Sequence, residues 1–112
     1  MEMETLNRAG INYKDGLRRM SGNEALYRKF LKKFLQDESI VRLKDCLSEG
    51  DMEGVYEAVH TLKGTSGTLG MYDLADSCDA MCKKIRNQEA DFDVNAIYSR
   101  YDAVVKAIGD ME

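Results

Sequence analysis

The chain has no proline, a single histidine (His60), and no run approaching the ~20 apolar residues that a membrane-crossing helix needs. The missing proline removes the residue that most sharply interrupts helices, and the remaining composition favours them. The acidic stretch Met1-Glu2-Met3-Glu4-Thr5 does not read as a signal peptide. The three cysteines, Cys46, Cys78 and Cys82, are odd in number and scattered. They read as reduced thiols of a cytoplasmic protein rather than a disulfide framework. No phosphate-cradling glycine loop leads into Lys-Ser or Lys-Thr, and no serine, histidine and acid form a set that one domain could assemble. A self-sufficient enzyme is therefore not expected. A net charge of −4 excludes a chain-wide pull toward nucleic acid or anionic membrane.

With 112 residues, 44% hydrophobic and 32% charged, the chain is expected to be one domain, large enough for a core without staples. The pattern predicts a short helix over 2–9, stopped by Gly10, and a second that starts at Asn12. Ser21 and Glu24 have capping-box spacing. From Glu24 to Glu49 the pattern is helical throughout, with Leu26, Tyr27, Phe30, Leu31 and Phe34 on one apolar face and Ile40, Leu43 and Leu47 on another. The two faces differ in phase by more than about a hundred degrees, with the slip at Gln36-Asp37-Glu38-Ser39. One long helix with a kink is expected, the alternatives being a break or two halves packed on different neighbours. Gly50 is a natural stop and Asp51 a natural N-cap for a helix running to about Leu69. Gly70 then allows a left-handed turn into a helix over about 71–88, which buries Leu74, Cys78, Met81 and Ile85. After Asp93, Val94, Ile97, Tyr101, Val104 and Ile108 mark the last helix. Short connections make successive helices antiparallel neighbours. The expected fold is all-α: an antiparallel up-down four-helix bundle over 23–112, with one or two short N-terminal helices in 1–22 capping one end.

The lone histidine sits in His60-Thr61-Leu62-Lys63-Gly64-Thr65-Ser66-Gly67-Thr68-Leu69-Gly70. At about 100° per residue, Val55, Ala58, Val59, Leu62, Thr65, Ser66 and Leu69 fall on one side of its helix. His60, Lys63, Gly64 and Gly67 fall on the other, with Tyr56 and Glu53 behind them. A glycine inside a helix costs roughly 1 kcal/mol relative to alanine. Gly64 and Gly67 on the solvent side call for a reason, and clearance beside the imidazole is one; close helix packing is the bland alternative. An imidazole, with a usual pKa of about 6.5, is a nucleophile in its neutral form, and a lysine three residues on is within reach of an anion placed on the ring. That combination suits a phosphorylated histidine. Cys78 and Cys82, one turn apart, are better read as part of the apolar seam than as metal ligands, because no fourth ligand is evident; no metal is expected.

The His60-to-Gly70 stretch resembles the histidine-containing phosphotransfer (HPt) domain family, whose pattern is His-x-hydrophobic-Lys-Gly, then small residues and a hydrophobic-Gly ending. Asp51, Leu74, Leu17-Arg18-Arg19-Met20, Leu26-Tyr27 and Phe30-Leu31-Lys32-Lys33-Phe34 are also similar, so the resemblance covers about residues 11–88. One departure is Met81-Cys82, where family members often carry Leu-Glu. The resemblance implies a phosphorelay intermediate. His60 accepts a phosphoryl group from a receiver-domain aspartate and passes it to another receiver, and Lys63 stabilises its charge. Gly64 and Gly67 give clearance, and Tyr56 and Met71 are candidate receiver contacts. The chain needs no cofactor of its own; Mg²⁺ is expected on the partner receiver of a response regulator or hybrid kinase. A cytoplasmic monomer is expected, with no nucleic-acid or membrane partner. Two other classes stay open: a docking adaptor whose histidine is never phosphorylated, and a dimerising scaffold.

Overall fold

The computed structural model describes residues 2–111; Met1 and Glu112, the ends of the domain expected over 1–112, lie outside the described residues. Among the described residues there are seven helices and no strands: α1 (Glu2–Arg8), α2 (Tyr13–Arg19), α3 (Glu24–Phe34), α4 (Ser39–Glu49), α5 (Met52–Thr68), α6 (Tyr72–Arg86) and α7 (Val94–Gly109). Short polar side chains start four of them. Asn12, Asn23, Asp51 and Asp93 accept the backbone N–H of Asp15, Leu26, Gly54 and Ala96 at 3.0, 3.0, 3.0 and 3.1 Å. Each satisfies a donor that the helix itself cannot pair. Ser21, expected to cap α3, instead lies in the preceding turn with φ +56°, and Asn23 takes the role.

The long kinked helix expected over 24–49 is two helices. The chain leaves α3 at Leu35 and restarts where the Asp37 carboxylate accepts the Ser39 backbone N–H at 3.1 Å and its hydroxyl at 3.3 Å. The break resolves the phase slip: α3 buries Tyr27, Leu31 and Phe34, and α4 buries Ile40, Leu43 and Cys46. An unbroken helix would turn one of those sets outward. Together α3 and α4 run antiparallel along α5. Tyr27 meets Leu69 at one end, Arg42 pairs with Glu57 at 2.6 Å, and Cys46 lies against Gly54 at the other.

The α5 helix packs between α4 and α6, and α7 packs against α6 and α3, which closes the four-helix bundle. The short α1 and α2 lie against α7 and α3 respectively. Leu31, Leu43, Val55, Leu62, Leu74, Cys78, Ile97 and Ile108 belong to one buried core. Burying a leucine- or isoleucine-sized side chain contributes about 1.5–3 kcal/mol. Leu26 and Phe30, expected on the apolar face of α3, stay partly exposed, because only Tyr27, Leu31 and Phe34 point inward from that helix. All three cysteines are buried free thiols. Among the described residues, no helix is long and apolar enough to cross a membrane.

Candidate functional site

Both ends of α5 are pinned. At its start, Gly50 (φ +71°) reverses the chain, and Asp51 N–H donates to the Cys46 carbonyl at 2.9 Å. Gly54 then lets α5 approach α4 closely, since a Cβ there would stand 2.5 Å from the Cys46 sulfur. At its end, Gly70 (φ +80°) makes the turn, and Met71 N–H donates to the Ser66 carbonyl at 2.8 Å. The buried Tyr27 hydroxyl donates to the Leu69 carbonyl at 2.6 Å, and Asn12 N–H donates to the Gly70 carbonyl at 2.7 Å. These bonds satisfy carbonyls that a helix end leaves open. Inside the helix, the buried Ser66 hydroxyl donates to its own Leu62 carbonyl at 2.7 Å, and Thr65 donates to Thr61 at 3.2 Å.

Between those ends, Val55, Ala58, Val59, Leu62 and Ser66 face the core, and His60 faces out, exposed. Thr65, placed on the apolar side from the sequence, is half-exposed at the edge of that seam. The Tyr56 ring stacks on the imidazole from one turn before, with centroids 5.8 Å apart and planes at 26°. A Cβ built on Gly64 or Gly67 meets nothing within 4 Å. These two glycines therefore do not serve helix packing, unlike Gly54. They leave bare ground beside the ring.

Two flanks border this ground. On one, a groove of about 790 Å³ separates the end of α3 from α5. Met20, Phe30 and Phe34 line one wall and Thr61, Gly64 and Thr65 the other, with His60 at the rim. On the other flank, α6 carries Asp79. Its two carboxylate oxygens receive the Lys63 ammonium at 2.8 Å and the Lys83 ammonium at 2.9 Å. The hydrogen bonds from Lys63 and Lys83 hold the Asp79 carboxyl down to about 2, and the bond to Asp79 raises Lys63.

His60, Lys63, Gly64, Gly67 and Tyr56 thus come together on one face of α5. Met71, expected among the receiver contacts, does not join them. It is fully buried, because the turn at Gly70 directs it into the core. The sequence reading missed Asp79, Lys83 and the groove wall. Asp79 and Lys83 are visible in sequence as an i, i+4 pair on one helix, but the register of α6 on α5 is not. Among the described residues no cluster of histidine, cysteine and acidic side chains could hold a metal ion.

The family model for the Hpt domain matches residues 29–110. The match takes in the whole of α7, beyond the reach of the sequence resemblance, and omits α1 and α2. No curated protein and no solved structure matches the chain. The match spans most of the chain and includes the helix that carries the exposed histidine, so the protein belongs to the Hpt domain family, the phosphocarrier modules of two-component phosphorelays.

Proposed function

We propose that this chain carries a phosphoryl group on His60 between the aspartates of receiver domains. The observation that carries the reading is the setting of its only histidine: outward from the middle of a helix fixed at both ends, over ground left open by Gly64 and Gly67. In the transfer, the unprotonated ring nitrogen attacks phosphorus and a P–N bond forms. The acyl-phosphate P–O bond breaks, and the receiver aspartate leaves as carboxylate with the electron pair. The ring then sheds the proton on its other nitrogen to solvent. Onward transfer runs the same steps in reverse toward a second aspartate. Such chemistry asks mainly for positioning and for neutralisation of charge. Lys63, three residues from His60, supplies an ammonium on this side, and Mg²⁺ belongs to the receiver. The apolar groove wall at Phe30, 37% exposed, gives a receiver a surface to seat against.

The test mixes the chain with phosphorylated receiver domains and maps the label by mass spectrometry. We expect an acid-labile phosphoryl group on His60 and none on His60→Gln, which keeps its helical signal. Label retained in His60→Gln overturns the reading. Receiver binding without label, equal with and without His60, points instead to a docking adaptor. A dimer that ignores the substitution points to a scaffold.

A further inference from the structure

The mechanism above needs Lys63 near the phosphoryl group, yet Lys63 is engaged elsewhere. Its ammonium sits 2.8 Å from Asp79 on the neighbouring helix. At about 100° per residue, Lys63 lies roughly 60° around α5 from His60, on the flank that faces α6. Pairing with Asp79 therefore draws the ammonium away from the imidazole. We propose that Asp79 is a positioning residue that withholds Lys63 from His60 until the phosphoryl group arrives, and that Lys83 keeps Asp79 neutralised after Lys63 departs. The proposal deepens the transfer reading and rests on it.

Three features support the exchange. The pair is open to solvent, with side-chain exposures of 39% for Lys63 and 30% for Asp79, so solvent screens it and it parts readily. A phosphoryl group carries more charge than a carboxylate and offers three acceptor oxygens, so it competes well for an ammonium on a flexible four-carbon stem. Lys83 already holds the second Asp79 oxygen at 2.9 Å, so Lys63 can leave without stranding a lone carboxylate. The pair is not needed to join the helices, because α5 and α6 already share the buried core through Val59, Leu62, Leu74 and Cys78.

The experiment charges His60 of the full chain with the small phosphodonor phosphoramidate, then follows the phosphorus NMR shift against pH. The midpoint of protonation of the phosphorylated ring, which moves the phosphorus shift near neutral pH where the P–N bond survives, reports how closely a cation attends the group, because an ammonium on the phosphoryl oxygens disfavours a positively charged ring. Asp79→Asn should lower that midpoint by about half a pH unit, and Asp79→Glu should restore it. Lys83→Met should raise it, because Asp79 then grips Lys63 alone. In a Lys63→Met background neither change should move the midpoint. Lys33 and Asp37 across the groove, and Tyr56 against the ring, stay in place throughout. A midpoint indifferent to Asp79→Asn, or a shift that persists without Lys63, overturns the proposal; the second result would mark a direct field effect of the carboxylate. If no receiver labels His60, the transfer reading falls while this chemical test still reports on Asp79.

Discussion

The Tyr56 and His60 rings stack one helical turn apart, with centroids 5.8 Å from each other and planes at 26°. The stack covers one face of the imidazole and leaves its edge, where the nitrogens are, open to approach. It also restrains rotation about the bond to the ring. Tyr56→Ala should therefore slow phosphoryl transfer several-fold while costing less than about 1 kcal/mol of stability, since the side chain is only half-buried. Stopped-flow transfer rates beside thermal melts check this. An unchanged rate would mean that the stack does not order the ring.

Gly64 and Gly54 lie in the same helix and should respond in opposite ways. A Cβ on Gly64 enters open space, so Gly64→Ala should gain up to about 1 kcal/mol in helix propensity and raise the Tm by a few degrees. Gly64→Leu should add some stability as well, but slow transfer by obstructing the ground beside His60. A Cβ on Gly54 meets the Cys46 sulfur at 2.5 Å and the Asp51 carboxylate at 2.6 Å, so Gly54→Ala should destabilise by about 1–3 kcal/mol. Paired denaturation curves decide it; loss of folding in Gly64→Ala would refute the clearance argument.

Tyr27 joins the start of α3 to the end of α5. Tyr27→Phe keeps the buried ring and removes the donor to the Leu69 carbonyl, so about 1–3 kcal/mol should be lost. Hydrogen exchange should rise first at the α5–α6 corner. A variant as stable as wild type would mean that water replaces the bond without penalty.

The alkaline limit of stability follows from buried acids. Burial pushes the Cys78 thiol from 9.0 up to about 12, and burial likewise raises the Tyr27 hydroxyl from 10.0. Both are neutral in the fold, and their folded values exceed the unfolded ones. Their contribution is complete below about pH 9 and declines as pH climbs toward the folded values. Urea midpoints should fall between pH 9 and 11, and Cys78→Ala should flatten the lower part of that fall despite its lower starting stability. A midpoint constant to pH 11 would contradict the assignment.

Much of this was legible in the sequence wherever a signal is local. Asn12, Asp51 and Asp93 cap as their positions predict, Gly50 and Gly70 make the left-handed turns, and the apolar seams of α5, α6 and α7 face the core, with Thr65, Ile85, Val94 and Tyr101 only partly buried at their edges. His60 stands out because it is unique and because glycines surround it on the polar side of its helix. The phase slip near Asp37 was visible, but a bend and a break give the same periodicity. The Asp37 carboxylate on Ser39 decides between them, and that bond is a fact of three dimensions. Asn23 displaced Ser21 because the left-handed backbone at Ser21 keeps it out of the N-cap geometry. Met71 and Asp79 were missed for a shared reason. How one helix sits against the next depends on packing across the bundle, which the period of either helix alone does not encode.

The pinning of α5 at both ends has a consequence for recognition. A side chain halfway along a bar clamped at each tip has little freedom to travel with its support, so the target stays where the scaffold holds it. The accommodation in any encounter must then come from the visitor, or from the few mobile groups around the ring. A carrier built this way can serve several docking partners without being reshaped for each, because every one of them finds the same fixed mark.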